Sequence, residues 1–317
     1  MLSIVVGTYN RLDQIKACID SIRAETRTPF RIYVTDAGST DGTIEYLTSQ
    51  ADSTLEPVFV GQKLGQARAY NDVFKRVTTP YVCWLSDDNV VVDRGLDRAV
   101  EILEADRRIG LVGLKTQDQR GPFKKSPYIG GLSTIGILNV NQGLLPTPVM
   151  NKIGGFSEAF RDYGIDPDLT AKVLFSGYDI VYTRNVALHH YRNWSEDPQS
   201  AEFAWITKRN EAAKALYTEK YGALARNAWI WKGRRAAWWA FRKAMGKRFS
   251  LNGRSAFMGQ LPRDWHNLIA GRYISPFEAM GAQTGLYHLR QHCPRYAVPK
   301  TLPEDPSPQM AVSSTTS

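Results

Sequence analysis

The sequence predicts an α/β protein with a Rossmann-like, doubly wound, mostly parallel sheet and a helical C-terminal extension. Three observations carry that expectation. Strand-like and helix-like segments alternate between residues 3 and 114. Polar clusters follow three of the strand-like runs, at 8–11, 36–42 and 86–89. The formal charge of +9 is not spread evenly, because Tyr221 to Arg263 holds ten Lys or Arg and no acid. Removing that segment leaves +9 − 10 = −1, a nearly neutral body joined to a basic module.

The elements follow in order. Residues 3–8 (SIVVGT) read as a strand, and 12–25 place Leu12, Ile15, Ile19 and Ile22 at helical spacing. A strand at 31–35 and a helix from Gly42 come next. Then come a strand at 57–61, a helix at 65–77 and the apolar run 81–85. A helix over 96–108 and a strand over 109–114 complete the series. Strands alternating with helices at this interval indicate βαβ units and a mostly parallel sheet. In such a sheet, ligands gather beyond the carboxyl ends of the strands. The three polar clusters all fall on that rim.

The chain has 317 residues, enough for one large domain or two small ones. The boundaries read as a catalytic domain over 1–222, a basic, Trp-rich helical module over 223–293 and a disordered tail over 294–317 rich in Pro, Ser and Thr. The three cysteines, Cys18, Cys83 and Cys293, have no metal-type spacing and suggest a reducing compartment. The first strand-like run is too short for a signal-peptide core. The longest uncharged stretch, Ser126 to Asn151, is broken by Gly, Pro, Asn and Gln and makes a poor membrane span.

The run YVCWLSDDN (81–89) raises the chemical question, because a buried strand ends there on two adjacent acids, Asp87 and Asp88. Adjacent carboxylates repel unless something positive compensates. A helix cap is one reading. The other is a Mg²⁺ or Mn²⁺ ion shared with substrate phosphates. No G-x-G-x-x-G follows a strand and no G-x-x-x-x-G-K-[ST] is present, which excludes the usual glycine-rich phosphate cradles.

SIVVGTYNRLDQIKACIDSI, VTDAGSTDGT, GQARAYN and YVCWLSDDN together resemble the nucleotide-binding half of family-2 glycosyltransferases with the A-type fold. GGFSEAFRDYGIDPDLTAKVLFSGYDIVYTRNVALHH resembles the acceptor half of that family, and the likeness spans roughly residues 1–195. The resemblance implies that Thr8, Tyr9, Arg11, Asp36, Arg68 and Asp87 sit at the nucleotide-sugar donor. It implies that Asp88, with His189 or His190, holds the divalent metal and that Asp166 is the catalytic base. By sequence alone Asp166 also reads as a helix start, with Pro167 in the first turn, and Asp168 as a cap or acceptor contact. The chain departs from the family pattern at Ala37, Tyr70, Ser86 and Ile165.

The expected activity is inverting, metal-dependent transfer of a sugar from a nucleotide diphosphate to a hydroxyl of a glycan or lipid-linked acceptor. Residues 226–249 hold four of the eight tryptophans among Lys and Arg. That composition suits an anionic membrane surface and a cytoplasmic protein peripheral at the inner face. A nucleic-acid partner is disfavoured because no binding motif accompanies the basic residues. The rival readings are a nucleotidyltransferase on a similar sheet and a non-catalytic carbohydrate- or nucleic-acid-binding protein.

Overall fold

A computed structural model describes residues 1–120, 139–192, 195, 197–225, 273–274 and 302–306. The alternation is realised as β1 (Leu2–Thr8), α1 (Leu12–Glu25), β2 (Phe30–Asp36), α2 (Thr43–Ser49), β3 (Leu55–Phe59), α3 (Gln66–Phe74) and β4 (Tyr81–Ser86). Next come β5 (Asn89–Val91), α4 (Gly95–Ala105), β6 (Ile109–Gly113), β7 (Thr116–Asp118), β8 (Gly143–Pro146), α5 (Thr147–Ile153) and α6 (Ile165–Phe175). The series closes with β9 (Asp179–Thr183), β10 (Leu188–His190), α7 (Ala201–Tyr221) and the two-residue β11 (Tyr273–Ile274).

Eight strands form one sheet in the order β11-β9-β6-β8-β4-β1-β2-β3. The pairs β1–β2, β2–β3, β1–β4 and β6–β9 are parallel. β8 runs antiparallel between β4 and β6, and β11 runs antiparallel on β9. Both faces of the sheet are buried. Val5, Val82 and Trp84 face one apolar cluster with α3, α5, α6 and α7. Ile4, Val6, Cys83 and Leu85 face the other with α1, α2 and α4. Burial on alternating sides explains why these strands read as continuous apolar runs.

The chain steps outward from β1 to β2 and β3, then returns through α3 to lay β4 on the other side of β1. The strand order therefore reverses between β1 and β4, and such a reversal is where open α/β sheets bind ligands, beyond the strands' carboxyl ends. Tyr70 marks it. Its hydroxyl accepts from Gly7 N and donates to Leu85 O, both at 2.7 Å, and so stands between the two strands.

The observed ends differ from the expected ones where burial decides. β3 starts two residues earlier than its apolar pattern suggests, because Leu55 is buried opposite Ile32 while Phe59 is half exposed. β5, β7 and β10 form a separate small sheet in the order β5-β10-β7, which the expected series of elements lacks. Residues 302–306 lie in the tail expected to be disordered, yet they rest on the core. Leu302 packs there, and Asp305 accepts from Ser157 Oγ at 2.7 Å and Lys220 Nζ at 2.6 Å. A buried ammonium needs a counter-charge, and Asp305 supplies part of it. Among the described residues no helix is long and apolar enough to cross a membrane. The basic segment 226–249 lies outside the described residues.

Candidate active site

Asp87 and Asp88 follow β4 at this reversal. Thr8 Oγ1 donates to Asp87 Oδ2 at 2.9 Å, and Arg11 Nη1 lies 2.9 Å from Asp87 Oδ1. The same guanidinium reaches Asp88 Oδ2 at 3.3 Å. Burial pushes the Asp87 carboxyl up to about 6, with Asp88 adding to the effect and Arg11 opposing it. Asp88 is also buried, but His190 and Arg11 outweigh that burial and hold it below the usual carboxylate range. The repulsion between the two acids is thus offset from both sides.

The small sheet exists to bring in His190. In its register His190 lies opposite Asn89 on β5 and Asp118 on β7. His190 Nδ1 is 2.7 Å from Asp118 Oδ1, and Nε2 is 3.3 Å from Asp88 Oδ1. Arg192 Nη2 holds the other oxygen of Asp118 at 3.3 Å. Burial works against a charged ring, but hydrogen bonds to Asp118 and Asp88 prevail and raise His190 to about 9. Asp88 is itself fixed by its backbone, whose carbonyl accepts from Tyr191 N at 2.8 Å.

This geometry suits a divalent cation. Asp88 Oδ1 is buried, and among the described residues its near partner is His190 Nε2 at 3.3 Å, so an ion that replaced the ring proton would meet both atoms. One carboxylate oxygen and one imidazole, backed by a carboxylate on the far ring nitrogen, form the usual two layers of a metal site. Among the described residues no third His, Cys, Asp or Glu completes a metal cluster. A site of two protein ligands matches ions that share their coordination with substrate phosphates.

The catalytic candidate is tied to the end of β4. Asp166 occupies the first turn of α6, after Gly164 at φ +86°. Asn141 Nδ2 donates to Asp166 Oδ2 at 3.3 Å, and the neighbouring Gln142 Nε2 donates to Ser86 Oγ at 3.0 Å. Two adjacent side chains at the head of β8 thus connect the acid-bearing end of β4 to Asp166. Burial raises the Asp166 carboxyl to about 8, against the pull of Trp84 and Asn141. The GGF turn that leads to α6 is clamped to α3. Asn71 accepts from Phe156 N and donates to Phe156 O, both at 2.8 Å. Gly155 has φ +68°, and a Cβ there would meet Asn71 Oδ1 at 2.4 Å, so only glycine fits.

Several expected site residues sit differently. His189 precedes His190 on the strand, so alternation sends it to the opposite face, where it has no ion pair or hydrogen bond among the described residues. Asp36 is fully buried, and its carboxylate accepts from Gly38 N, Ser39 N and Ser39 Oγ. It shapes the turn after β2 and offers no free oxygen to a ligand. Arg68 is exposed on α3 and pairs with neither acid. Tyr9 lies at the rim, 38% exposed, with Lys63 Nζ 3.7 Å from its ring centroid. Asp168 is neither a cap nor a surface contact. It is completely buried and bonded to Lys220, Ser157 and Tyr221. Sequence reasoning missed Asp118, Asn141, Gln142 and the role of Tyr70.

Comparison with known proteins bears on the family and the fold. An uncharacterized glycosyltransferase of Nostoc sp. is 29% identical over 114 residues, 35% of this chain and 35% of that protein. An Escherichia coli UDP-Glc:alpha-D-GlcNAc-diphosphoundecaprenol beta-1,3-glucosyltransferase is 25% identical over 107 residues, 34% of this chain and 43% of its own length. The chain spans about a third of the length of the curated relatives it matches, 35% and 31% for two of them. A mannosyltransferase of Pyrobaculum calidifontis, solved with GDP-Man and Mn²⁺, shares the fold at TM-score 0.50 and 19% identity, covering 84% of this chain and 83% of that one. The sequence profile of glycosyl transferase family 2 matches residues 3–164, just over half of the 317, and the chain therefore belongs to that family.

Proposed function

We propose that this chain transfers a sugar from a nucleotide diphosphate sugar to a hydroxyl of a glycan or lipid-linked acceptor, with inversion at the anomeric carbon. One observation carries the reading. Asp166 is bonded to Asn141, and the adjacent Gln142 to Ser86, two residues before the Asp88 that pairs with His190.

Asp88 Oδ1 and His190 Nε2 would hold Mg²⁺ or Mn²⁺ together with the donor diphosphate, and such an ion supplies neutralisation of charge on the departing oxygen. Thr8 and Arg11 hold Asp87 at the ribose or sugar. Tyr9, Arg68 and the turn shaped by Asp36 offer the surrounding nucleotide contacts. Asp166 takes the proton of the acceptor hydroxyl while that oxygen bonds to the anomeric carbon and the diphosphate bond breaks. A base aimed from the face opposite the leaving group gives inversion, by the geometry that separates inverting from retaining glycosidases.

The catalytic unit in this reading is residues 1–222, because α7 packs on the core through Leu216, Tyr217 and Tyr221. The basic module 223–293 would bring that unit to an anionic membrane from the cytoplasmic side, where a lipid-linked acceptor resides. The E. coli relative is named for a diphosphoundecaprenol acceptor, which supports the lipid-linked class.

The test is a thermal-shift panel of UDP-, GDP- and dTDP-sugars with and without Mn²⁺, followed by nucleotide release. One donor class should raise Tm in a Mn²⁺-dependent way that Asp88→Ala removes. No Mn²⁺-dependent shift with any donor would overturn the reading.

A further inference from the structure

α7 carries a half-exposed tryptophan beside the catalytic helix. Trp205 is 52% exposed, the most exposed of the large aromatic side chains named at the surface. Its ring meets that of Tyr163 edge to face, with centroids 6.5 Å apart and an interplanar angle of 89°. The Arg209 guanidinium lies 4.5 Å from the Trp205 centroid and 4.7 Å from that of Tyr163. Arg209 is in turn ion-paired to Asp162, whose other oxygen accepts from Gln66 N at 2.7 Å. The two rings are thus fixed in place before any ligand arrives, which lowers the cost of ordering a binding surface.

The position of this surface is informative. Tyr163 is three residues before Asp166, a chain distance of at most about 11 Å. Asp162, next to Tyr163, accepts from Gln66 N at the start of α3, the helix whose Tyr70 bonds Gly7 N and Leu85 O. The ring pair therefore sits beside the chain that leads into Asp166, close to the start of α3.

The surroundings of Trp205 select the ligand. Its helical neighbours three and four positions away are Ala201, Glu202, Lys208 and Arg209, three of the four charged. An acyl chain needs a continuous apolar strip, and a ring of charges interrupts one. A sugar ring has an apolar C–H face and a rim of hydroxyls, which matches one aromatic surface ringed by hydrogen-bonding charges. Resting on the glycosyltransferase reading above, we propose that Trp205 and Tyr163 form a platform for the sugar of an oligosaccharide acceptor that precedes the reacting unit. The chain then extends an existing saccharide and does not place the first sugar on an aglycone.

The test compares wild type, Trp205→Ala and Trp205→Phe with the nucleotide sugar that gives the fastest nucleotide release. Octyl glycosides of one, two and three glucosyl or N-acetylglucosaminyl units serve as acceptor probes. Wild type should favour the longer probes. Trp205→Ala should raise their KM about tenfold, the scale of one stacked ring. Trp205→Phe should restore most of the loss, and nucleotide release to water should stay unchanged in both variants. The platform is overturned if wild type shows no preference for longer probes, or if Trp205→Ala leaves their KM within a factor of about two. A parallel loss of acceptor-free release in Trp205→Ala overturns it as well. Absence of nucleotide release from every donor in wild type would instead remove the glycosyltransferase reading, and the platform with it.

Discussion

Asp118 Oδ1 lies 2.7 Å from Nδ1 of His190, across the parallel pairing of β7 and β10. The contact fixes which way the imidazole faces and directs Nε2 at Asp88. Residues that orient a metal-bound histidine in this way are typically worth about 10–100-fold in metal affinity. Asp118→Asn should therefore weaken Mn²⁺ binding by about that factor. Titration calorimetry of Mn²⁺ into the chain saturated with UDP or GDP would measure it. Unchanged affinity would mean that His190 is held by other contacts or does not take part.

Tyr70→Phe tests how the reversal between β1 and β4 is held. The lost hydroxyl leaves Gly7 N–H without its acceptor and Leu85 C=O without its donor, in a residue that is 1% exposed. Each orphaned buried group costs about 1–3 kcal/mol. Urea unfolding should show a loss of that order. Because Gly7 and Leu85 lie directly below Thr8 and Asp87, the donor KM should rise while the acceptor KM stays near wild type. A variant as stable as wild type would show that water or a backbone shift replaces the bridge.

The βαβ half of the fold is legible because its strands are buried on both faces and its helices carry one apolar stripe each. Val5 and Ile4 both read as apolar, so the strand is plain even though they face different clusters. The small sheet is not legible, because three-residue strands such as Thr116–Asp118 carry too short a pattern. Asp118 therefore reads as part of a polar loop. It acquires a role only through a pairing 72 residues distant. The direction of side chains is equally hidden. The sequence does not say which of His189 and His190 faces inward, since one residue of register exchanges them. Nor does it say that the Asp36 carboxylate closes its own turn. Asn141 and Gln142 give no local signal, because β8 brings them between Ser86 and Asp166 from far along the chain. Asp166 itself looks like an ordinary helix start and stands out only through resemblance to a family.

The buried cluster around Asp168 makes a stability prediction. The Asp168 side chain is fully buried and that of Lys220 is 1% exposed, with Nζ and Oδ1 2.7 Å apart. Ser157, Tyr221, Lys172 and Asp305 surround the pair. Lys220→Met leaves two carboxylates facing a weaker set of donors. Removing one partner of a buried pair costs about 3–5 kcal/mol. Lys220→Met/Asp168→Asn should lose less than the sum of the single changes, because each substitution removes the need for the other. A urea-melt double-mutant cycle with additive losses would show that the two charges are not coupled.

Asp166 gives the pH dependence. Burial moves its carboxyl from the ordinary 3.8 to about 8. A general base must be ionised before it can accept a proton. With donor bound in excess, kcat/KM for the acceptor should therefore rise through pH 7 to 9 with a midpoint near 8. Asp166→Asn should lower kcat by about 10²–10⁴-fold while donor binding persists. Stability runs the other way. Between pH 4 and pH 8 the folded chain holds a proton on Asp166 that the unfolded chain has released. Folding stability from this group is thus fully present below the unfolded value and is lost as pH rises through the folded one. Asp166→Asn cannot release that proton. Its Tm should match wild type near pH 4 and exceed it by a margin that widens up to about pH 8. A variant with normal donor affinity, depressed turnover and this widening Tm advantage has lost a desolvated base. Equal Tm at all pH values, or a flat acceptor profile from pH 6 to 9, would show that Asp166 stays ionised in the folded chain and that the proton is taken elsewhere.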